Sequence, residues 1–148
     1  ARPVVRHQCG ARHAERTVQV YADAGVDASV EPFIADMAAA YAWADLVVCR
    51  AGALTLAELC AAGVGALLVP FPQAVDDHQT RNAEFLVERG AAALVAEGEG
   101  FETRLLASLQ PLLADADARR AMAVAARAAA TPQAADTVAS IVLQEARA

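Results

Sequence analysis

Residues 44–58 read Ala-Asp-Leu-Val-Val-Cys-Arg-Ala-Gly-Ala-Leu-Thr-Leu-Ala-Glu. The first half is a short apolar run rich in valine, which is typical of a strand buried in a parallel sheet. The second half has apolar residues at helical spacing, and Gly52 separates the two parts. The stretch therefore predicts a strand that passes through a glycine turn directly into a helix, as parallel α/β sheets require.

The same alternation of short apolar runs and longer helical patterns continues on both sides of this stretch. It predicts strands over 3–7, 28–31, 46–50, 66–70 and 92–96, with helices over 11–24, 36–43, 55–62 and 78–89. Three of these helices run into Gly25, Gly63 or Gly90, which we expect to end them in a left-handed conformation.

A change of pattern follows the fifth strand. Alanine-rich helices are predicted over 102–114, 116–130 and 133–148, separated at Asp115 and at Thr131-Pro132. We therefore predict the α/β class, with a Rossmann-like doubly wound parallel sheet and a helical carboxy-terminal tail from about residue 101.

Length, composition and charge limit the kinds of protein that this chain can be. Its 148 residues suit one domain, and 57% hydrophobic with 20% charged residues fits a globular chain better than a disordered or membrane-spanning one. The net charge of −6 argues against nucleic acid as a partner. Three cysteines without short metal-type spacing indicate a reducing environment.

The amino terminus shows neither an initiator methionine nor the apolar core of a signal peptide. We therefore expect the sequence to start partway through a protein, so that an active site formed by two domains would be incomplete in it.

Ligands of open parallel sheets bind beyond the carboxyl ends of the strands, where loops meet helix amino termini. Segments 31–34, 50–55 and 71–79 occupy such positions. In the second segment, Gly52 permits close approach of a ligand, and the following helix start favours a phosphate. The alternative is that Gly52 only serves the geometry of a tight turn.

Three side chains near this turn each have two interpretations. Thr55 and Glu58 have the Thr-x-x-Glu spacing of a capping box, although the Glu58 carboxylate also suits the two hydroxyls of a ribose. Arg50 is expected to pair either with a diphosphate or with a neighbouring acid.

The segment 71–79 ends in Asp76-Asp77-His78-Gln79. Asp77 is a candidate helix cap, and adjacent residues rarely converge on one ion, so we expect no metal site here. Gln79 either binds sugar hydroxyls or is an exposed helix residue. His78 is either a general base or a ligand contact on the surface.

Taken in order, segments 33–41 and 44–58 resemble the signature of the MurG family of bacterial glycosyltransferases. Segments 61–63, 69–72, 76–83 and 7–10 extend the resemblance, which covers most of 4–95. It implies the carboxy-terminal UDP-sugar-binding half of a two-domain GT-B fold, occupying 1–148. It also implies an inverting transferase that moves N-acetylglucosamine from UDP-N-acetylglucosamine to lipid I, forming lipid II, without a cofactor or metal.

The resemblance also assigns roles to residues. Uracil would bind the main chain at Ile34, Glu58 would bind the ribose, and His78 or Gln79 would reach the sugar. The whole implied binding set is Ile34, Ala53, Leu54, Thr55, Leu56, Ala57, Glu58 and Gln79, with weaker contributions from Phe33, Arg50, Gly52 and His78.

Other parts of the family pattern are missing from this sequence. The amino-terminal domain with its glycine-rich loops and the Gly-Gly-Ser stretch expected before Val4 are absent from these 148 residues, so we expect the sheet to lack a first strand. We therefore expect the general base, the lipid I contacts and docking to the cytoplasmic face of the inner membrane to belong to the missing part, and this chain to be inactive alone. Alternatives are another GT-B transferase, a UDP-sugar epimerase or a non-catalytic nucleotide-binding module.

Overall fold

The computed structural model describes residues 2–73 and 77–146. The chain divides into two compact units, Ala1–Ala40 and Tyr41–Ala148. Within the described residues, no helix is both long enough and apolar enough to cross a bilayer.

The first unit contains a parallel βαβ element, formed by β1 (Val5–Gln8), α1 (Ala14–Asp23) and β2 (Ala28–Glu31). The two strands pair in register from Val5 opposite Ala28 to Gln8 opposite Glu31. After β2 the chain continues to α2 (Met37–Trp43), and the carboxylate of Asp36 accepts a 2.8 Å hydrogen bond from the Ala39 amide at the start of this helix.

The second unit contains a parallel three-stranded sheet in the order β3-β4-β5. Its elements are β3 (Val47–Cys49), α3 (Ala53–Ala62), β4 (Ala66–Leu68), α4 (His78–Val87) and β5 (Ala92–Leu94). The central strand β4 is buried along its whole length. Its side chains are apolar on both faces, as is typical of a parallel strand that is covered on both sides. Leu59 of α3 and Leu86 of α4 complete the core around it.

The tail consists of α5 (Phe101–Ala114), α6 (Ala116–Ala128) and α7 (Ala134–Glu145). Asp115 starts α6, because its carboxylate accepts hydrogen bonds of 2.9 Å from the amides of Asp117 and Ala118. Helix α6 packs against α3, and its buried Met122 lies over Gly65 at the start of β4. Within the second unit, the tail is therefore anchored to α3 and to the residue before β4 through α6.

The predicted fold class is confirmed, with parallel strands, flanking helices and a helical tail. Gly25, Gly63 and Gly90 have φ of 60°, 71° and 71°, as expected for left-handed helix ends. The five predicted strands form, in parallel sheets of two and three strands. Pairing depends on contacts between distant segments, so the order of strands along the chain does not determine it.

Candidate functional site

The amino terminus of α3 presents free amide groups directly after β3. Gly52 precedes the helix with φ −69° and ψ 139°, and the first helical hydrogen bond runs from the Leu56 amide to the Gly52 carbonyl, at 3.0 Å. The amides of Ala53, Leu54 and Thr55 therefore have no acceptor within the helix. Amides without an acceptor and the positive end of a helix dipole are the features that suit an anion.

The capping-box interpretation of Thr55 and Glu58 was wrong. Helix α3 begins at Ala53 and not at Thr55, so Thr55 lies inside the first turn, and no side chain caps this helix. Glu58 bonds elsewhere, since its Oε2 accepts a 2.9 Å hydrogen bond from the hydroxyl of Tyr41. Burial first, and then this hydrogen bond and the Glu58 charge, raise the pKa of Tyr41 above its usual range.

Gln79 joins the loops that follow β3 and β4. Its side-chain oxygen accepts hydrogen bonds from the main-chain amides of Ala51 and Phe71, at 3.3 Å and 3.0 Å. Asn82, one turn further along α4, donates to the Ala51 carbonyl at 3.2 Å. The glycine turn and the start of α4 therefore lie together, as the sequence predicted for the carboxyl ends of neighbouring parallel strands.

The orientation of the Gln79 amide follows from these contacts. Both partners are main-chain N–H donors, so the Gln79 atom that faces them is the oxygen. The Nε2 group then points away from these two amides. Gln79 thus presents a hydrogen-bond donor, while its oxygen is occupied by the two loops.

Arg50 pairs with a neighbouring acid, one of the two partners expected for it. Its guanidinium lies 2.6 Å from the carboxylate of Glu97, which follows β5. It also donates to the Val69 and Pro70 carbonyls, at 3.3 Å and 3.1 Å, and lies 5.5 Å from the centre of the Phe71 ring. Arg50 therefore connects the segments that follow β3, β4 and β5.

Residues 2–138 match the family described as the glycosyltransferase family 28 C-terminal domain. The chain belongs to this family. The family 28 chain is 65% identical, over 96% of its length, to the UDP-N-acetylglucosamine--N-acetylmuramyl-(pentapeptide) pyrophosphoryl-undecaprenol N-acetylglucosamine transferase of Xanthomonas axonopodis pv. citri. It is 62% identical over 95% of its length to the transferase of the same name from Xylella fastidiosa.

A solved structure gives the same picture of the family 28 fold. Acinetobacter baumannii MurG superposes with a TM-score of 0.85 and 44% identity, covering 95% of this chain and 41% of that one. The fold is therefore the Rossmann-like, carboxy-terminal half of a GT-B fold, with a helical tail. The chain spans 33% and 38% of the two curated relatives, so most of their length has no counterpart in it.

The side chain of Asp77 does not cap α4 in the way that the sequence predicted. Asp77 occupies the cap position with φ 54°, but its carboxylate accepts from the Thr80 hydroxyl at 2.6 Å and bonds no main-chain amide of the helix. His78 is exposed. Asp76 lies outside the described residues. Among the residues described, no group of three His, Cys, Asp or Glu side chains is placed to hold a metal ion.

Phe33 and Ile34 belong to the first unit and follow β2. The Phe33 side chain is 71% exposed, whereas Ile34 is 8% exposed and belongs to the core. Burial of the Ile34 side chain leaves its main chain as the part suited to a ligand, which is the role that the family resemblance implies. Binding of uracil there stays a prediction.

A cavity of about 380 Å³ lies between α3 and α4 and was not predicted. It shares Ala53, Leu56 and Ala57 with the predicted binding set but does not include Glu58 or Gln79. Most of its lining is apolar, whereas a diphosphate and a ribose need amide donors and acceptors. The lining residues are Ala53, Leu56, Ala57, Cys60, Arg81, Asn82, Phe85, Leu86, Ala129 and Thr131.

The three cysteines of the chain differ in their exposure. Cys9, Cys49 and Cys60 are free thiols. Burial raises the pKa of Cys49 at the end of β3 to about 11, so its thiol remains protonated at neutral pH. A protonated thiol is a weak nucleophile.

Proposed function

We propose that this chain binds UDP-N-acetylglucosamine as the donor-binding half of a transferase that adds N-acetylglucosamine to lipid I, forming lipid II for peptidoglycan. The names of relatives that are 62% and 65% identical support this proposal. The observation that carries it is the first turn of α3, whose amides have no acceptor within the helix. This turn follows the Ala51 amide that Gln79 binds and lies one turn before Glu58.

In this proposal the diphosphate lies against the amides of Ala53, Leu54 and Thr55. Negative charge grows on the departing UDP as its bond to the anomeric carbon breaks, and fixed amides with a helix dipole stabilise that charge without requiring a cation. Arg50 acts indirectly, because its guanidinium is already paired with Glu97 and holds the surrounding loops.

The remaining parts of the donor meet side chains of matching chemistry. Glu58 accepts hydrogen bonds from the ribose hydroxyls, and Nε2 of Gln79 donates to a sugar hydroxyl, with His78 beside it in the chain. Leu56 and Ala57 line the nucleotide, and Phe33 contributes weakly. The main chain at Ile34 is proposed to bind the uracil.

The reaction inverts the anomeric carbon, so the acceptor hydroxyl attacks on the side opposite the departing UDP. A general base must remove the proton from that hydroxyl. We propose that this base, the lipid I contacts and the contact with the cytoplasmic face of the inner membrane lie in parts of the natural protein outside these 148 residues.

The reaction itself is tested with the natural full-length protein, UDP-N-acetylglucosamine and a lipid I analogue. We expect transfer of N-acetylglucosamine with release of UDP. Conversion of free UDP-N-acetylglucosamine to an epimer, without glycosylation of the acceptor, would replace the proposal with an epimerase. Nucleotide binding without any turnover would instead identify a binding module.

The ribose contact is tested by calorimetry on two variants of one residue. We expect Glu58→Ala to weaken UDP binding by about ten-fold, since a hydrogen bond to a charged group is lost. Glu58→Gln should weaken it less, because the amide keeps one acceptor oxygen. Equal affinities of both variants and the wild type would refute the contact between Glu58 and the ribose.

A further inference from the structure

We infer that Tyr41 is a positioning residue for the donor ribose, since its hydroxyl holds the Glu58 carboxylate in the orientation that receives the two ribose hydroxyls. This inference rests on the proposed function, and it concerns a residue of α2 that does not contact the nucleotide itself. The evidence is the 2.9 Å hydrogen bond from the Tyr41 hydroxyl to Oε2 of Glu58.

The burial of the two partners differs in a way that fits this role. Tyr41 is 8% exposed, so the ring is fixed by the core of the second unit, whereas Glu58 is exposed on α3. An exposed glutamate in a helix otherwise samples several rotamers, and a ligand must then select one of them. A hydroxyl that the core holds in place removes most of that freedom before the ligand arrives.

The protonation state of the Tyr41 hydroxyl does not change over the physiological pH range. Burial and the neighbouring Glu58 raise the pKa of Tyr41, so the phenol stays neutral and remains a donor at every physiological pH. A hydrogen bond from a neutral phenol to a carboxylate is charge-assisted and therefore stronger than one between two neutral groups. Glu58 is thus oriented and keeps its negative charge. A salt bridge to an arginine would instead neutralise that charge.

The hydrogen bond leaves most of the acceptor capacity of Glu58 available. Oε2 accepts one bond from Tyr41, and no other group within residues 2–73 and 77–146 donates to this carboxylate. Oε1 and the second lone pair of Oε2 remain for a pair of adjacent hydroxyls. A ribose offers such a pair, whereas a 2′-deoxyribose offers only one hydroxyl.

The test compares UDP with 2′-deoxy-UDP by calorimetry on the natural full-length protein. Tyr41→Phe keeps the ring and removes only the hydroxyl, so we expect about five-fold weaker UDP binding. Binding of 2′-deoxy-UDP should change much less, and the preference for the ribonucleotide should shrink. A general loss of structure would weaken both ligands equally, and that result would overturn the inference.

A double substitution separates the inference from the proposed function. In a Glu58→Ala background, Tyr41→Phe should have no further effect on UDP affinity, because the hydroxyl acts only through the carboxylate. If Glu58→Ala weakens UDP binding and Tyr41→Phe does not, only the positioning role fails. If Glu58→Ala itself has no effect, the proposed ribose site fails.

The second tyrosine of the chain provides a matched control. The Tyr21 hydroxyl lies 3.0 Å from Nδ1 of His7, and both residues belong to the first unit. Tyr21→Phe should leave the preference for UDP over 2′-deoxy-UDP at the wild-type value. In steady-state transfer, Tyr41→Phe should raise KM for the donor by a similar factor and leave kcat nearly unchanged, since it affects ground state and transition state alike.

Discussion

Arg50 illustrates how one residue at the end of a strand organises the loops around a binding site. Its guanidinium contacts Glu97 and the Val69 and Pro70 carbonyls, and it lies close to the Phe71 ring. These partners come from two different loops, so removal of the guanidinium should loosen both of them at once. The proposed role of Arg50 is therefore structural, and it differs from a direct contact with the diphosphate.

Substitution of Arg50 tests this role. We expect Arg50→Ala to lower the free energy of unfolding in urea by about 1–2 kcal/mol, through loss of the ion pair and of two hydrogen bonds to carbonyls. Glu97→Gln removes the ion pair alone and should cost less than about 1 kcal/mol. Wild-type stability of Arg50→Ala, combined with weaker UDP binding, would instead assign the guanidinium to the diphosphate.

The sequence allowed two interpretations of Gly52, the geometry of a tight turn and close approach of a ligand, and the structure favours the second. Its φ of −69° is open to any residue, and an added Cβ would meet nothing closer than Oγ1 of Thr55, at 3.8 Å. The backbone of the turn therefore does not require a glycine. Close approach of a ligand remains as the reason for one at this position.

This distinction gives a prediction with two readouts. Gly52→Ala should keep the free energy of unfolding within about 0.5 kcal/mol of the wild type. The added methyl group should weaken UDP binding by about ten-fold, because it occupies space beside the free amides of α3. Lower stability with unchanged affinity would restore the interpretation of Gly52 as a turn residue.

Local sequence identified the positions of the site residues but not their side-chain partners. Gln79, Glu58 and Arg50 were all singled out from their places next to predicted strands and helices. The hydrogen bonds to Tyr41 and to the Ala51 and Phe71 amides, and the pairing with Glu97, join distant parts of the chain. Such contacts depend on tertiary packing, which no local spacing encodes.

At the scale of whole elements, helix ends were predictable where a single residue determines the backbone. Gly63 ends α3 through its positive φ, and Asp115 starts α6 through its side-chain hydrogen bonds, both as local patterns indicated. The start of α3 was placed two residues late, since Thr-x-x-Glu resembles a cap and the true cap position is a glycine without a side chain.

The packing of α6 over Gly65, the residue before β4, provides a prediction at this scale. A Cβ at Gly65 would lie 2.7 Å from Cβ of Met122, so Gly65→Ala must push α6 away. We expect a loss of about 1–3 kcal/mol in the free energy of unfolding. Met122→Ala should not restore stability in that background, because alanine keeps the clashing Cβ. Met122→Gly should relieve the clash and show a favourable coupling energy in a double-mutant cycle.

If Gly65→Ala has wild-type stability in urea unfolding, then Met122 of α6 does not pack over Gly65 as described. Gly52→Ala is the matched comparison, since the same change of side chain occurs there in open space. The contrast between the two alanines therefore reports on packing and not on the loss of glycine entropy.

At the scale of the whole molecule, the class of fold was predictable and the pairing of strands was not. Alternating apolar runs and helical patterns specify α/β architecture because each element must bury one face against the next. The separation into sheets of two and three strands depends on which strands meet in space. The match to the family 28 domain over residues 2–138 confirms the architecture, while the chain spans about a third of its curated relatives.

A crystal structure of the natural full-length protein with UDP-N-acetylglucosamine tests the central proposal most directly. We predict diphosphate oxygens at hydrogen-bonding distance, about 2.7–3.2 Å, from the amides of Ala53, Leu54 and Thr55. The ribose hydroxyls should bond Glu58, and Nε2 of Gln79 should bond the sugar. Nucleotide bound in the apolar cavity between α3 and α4, with the first turn of α3 unoccupied, would contradict the proposal.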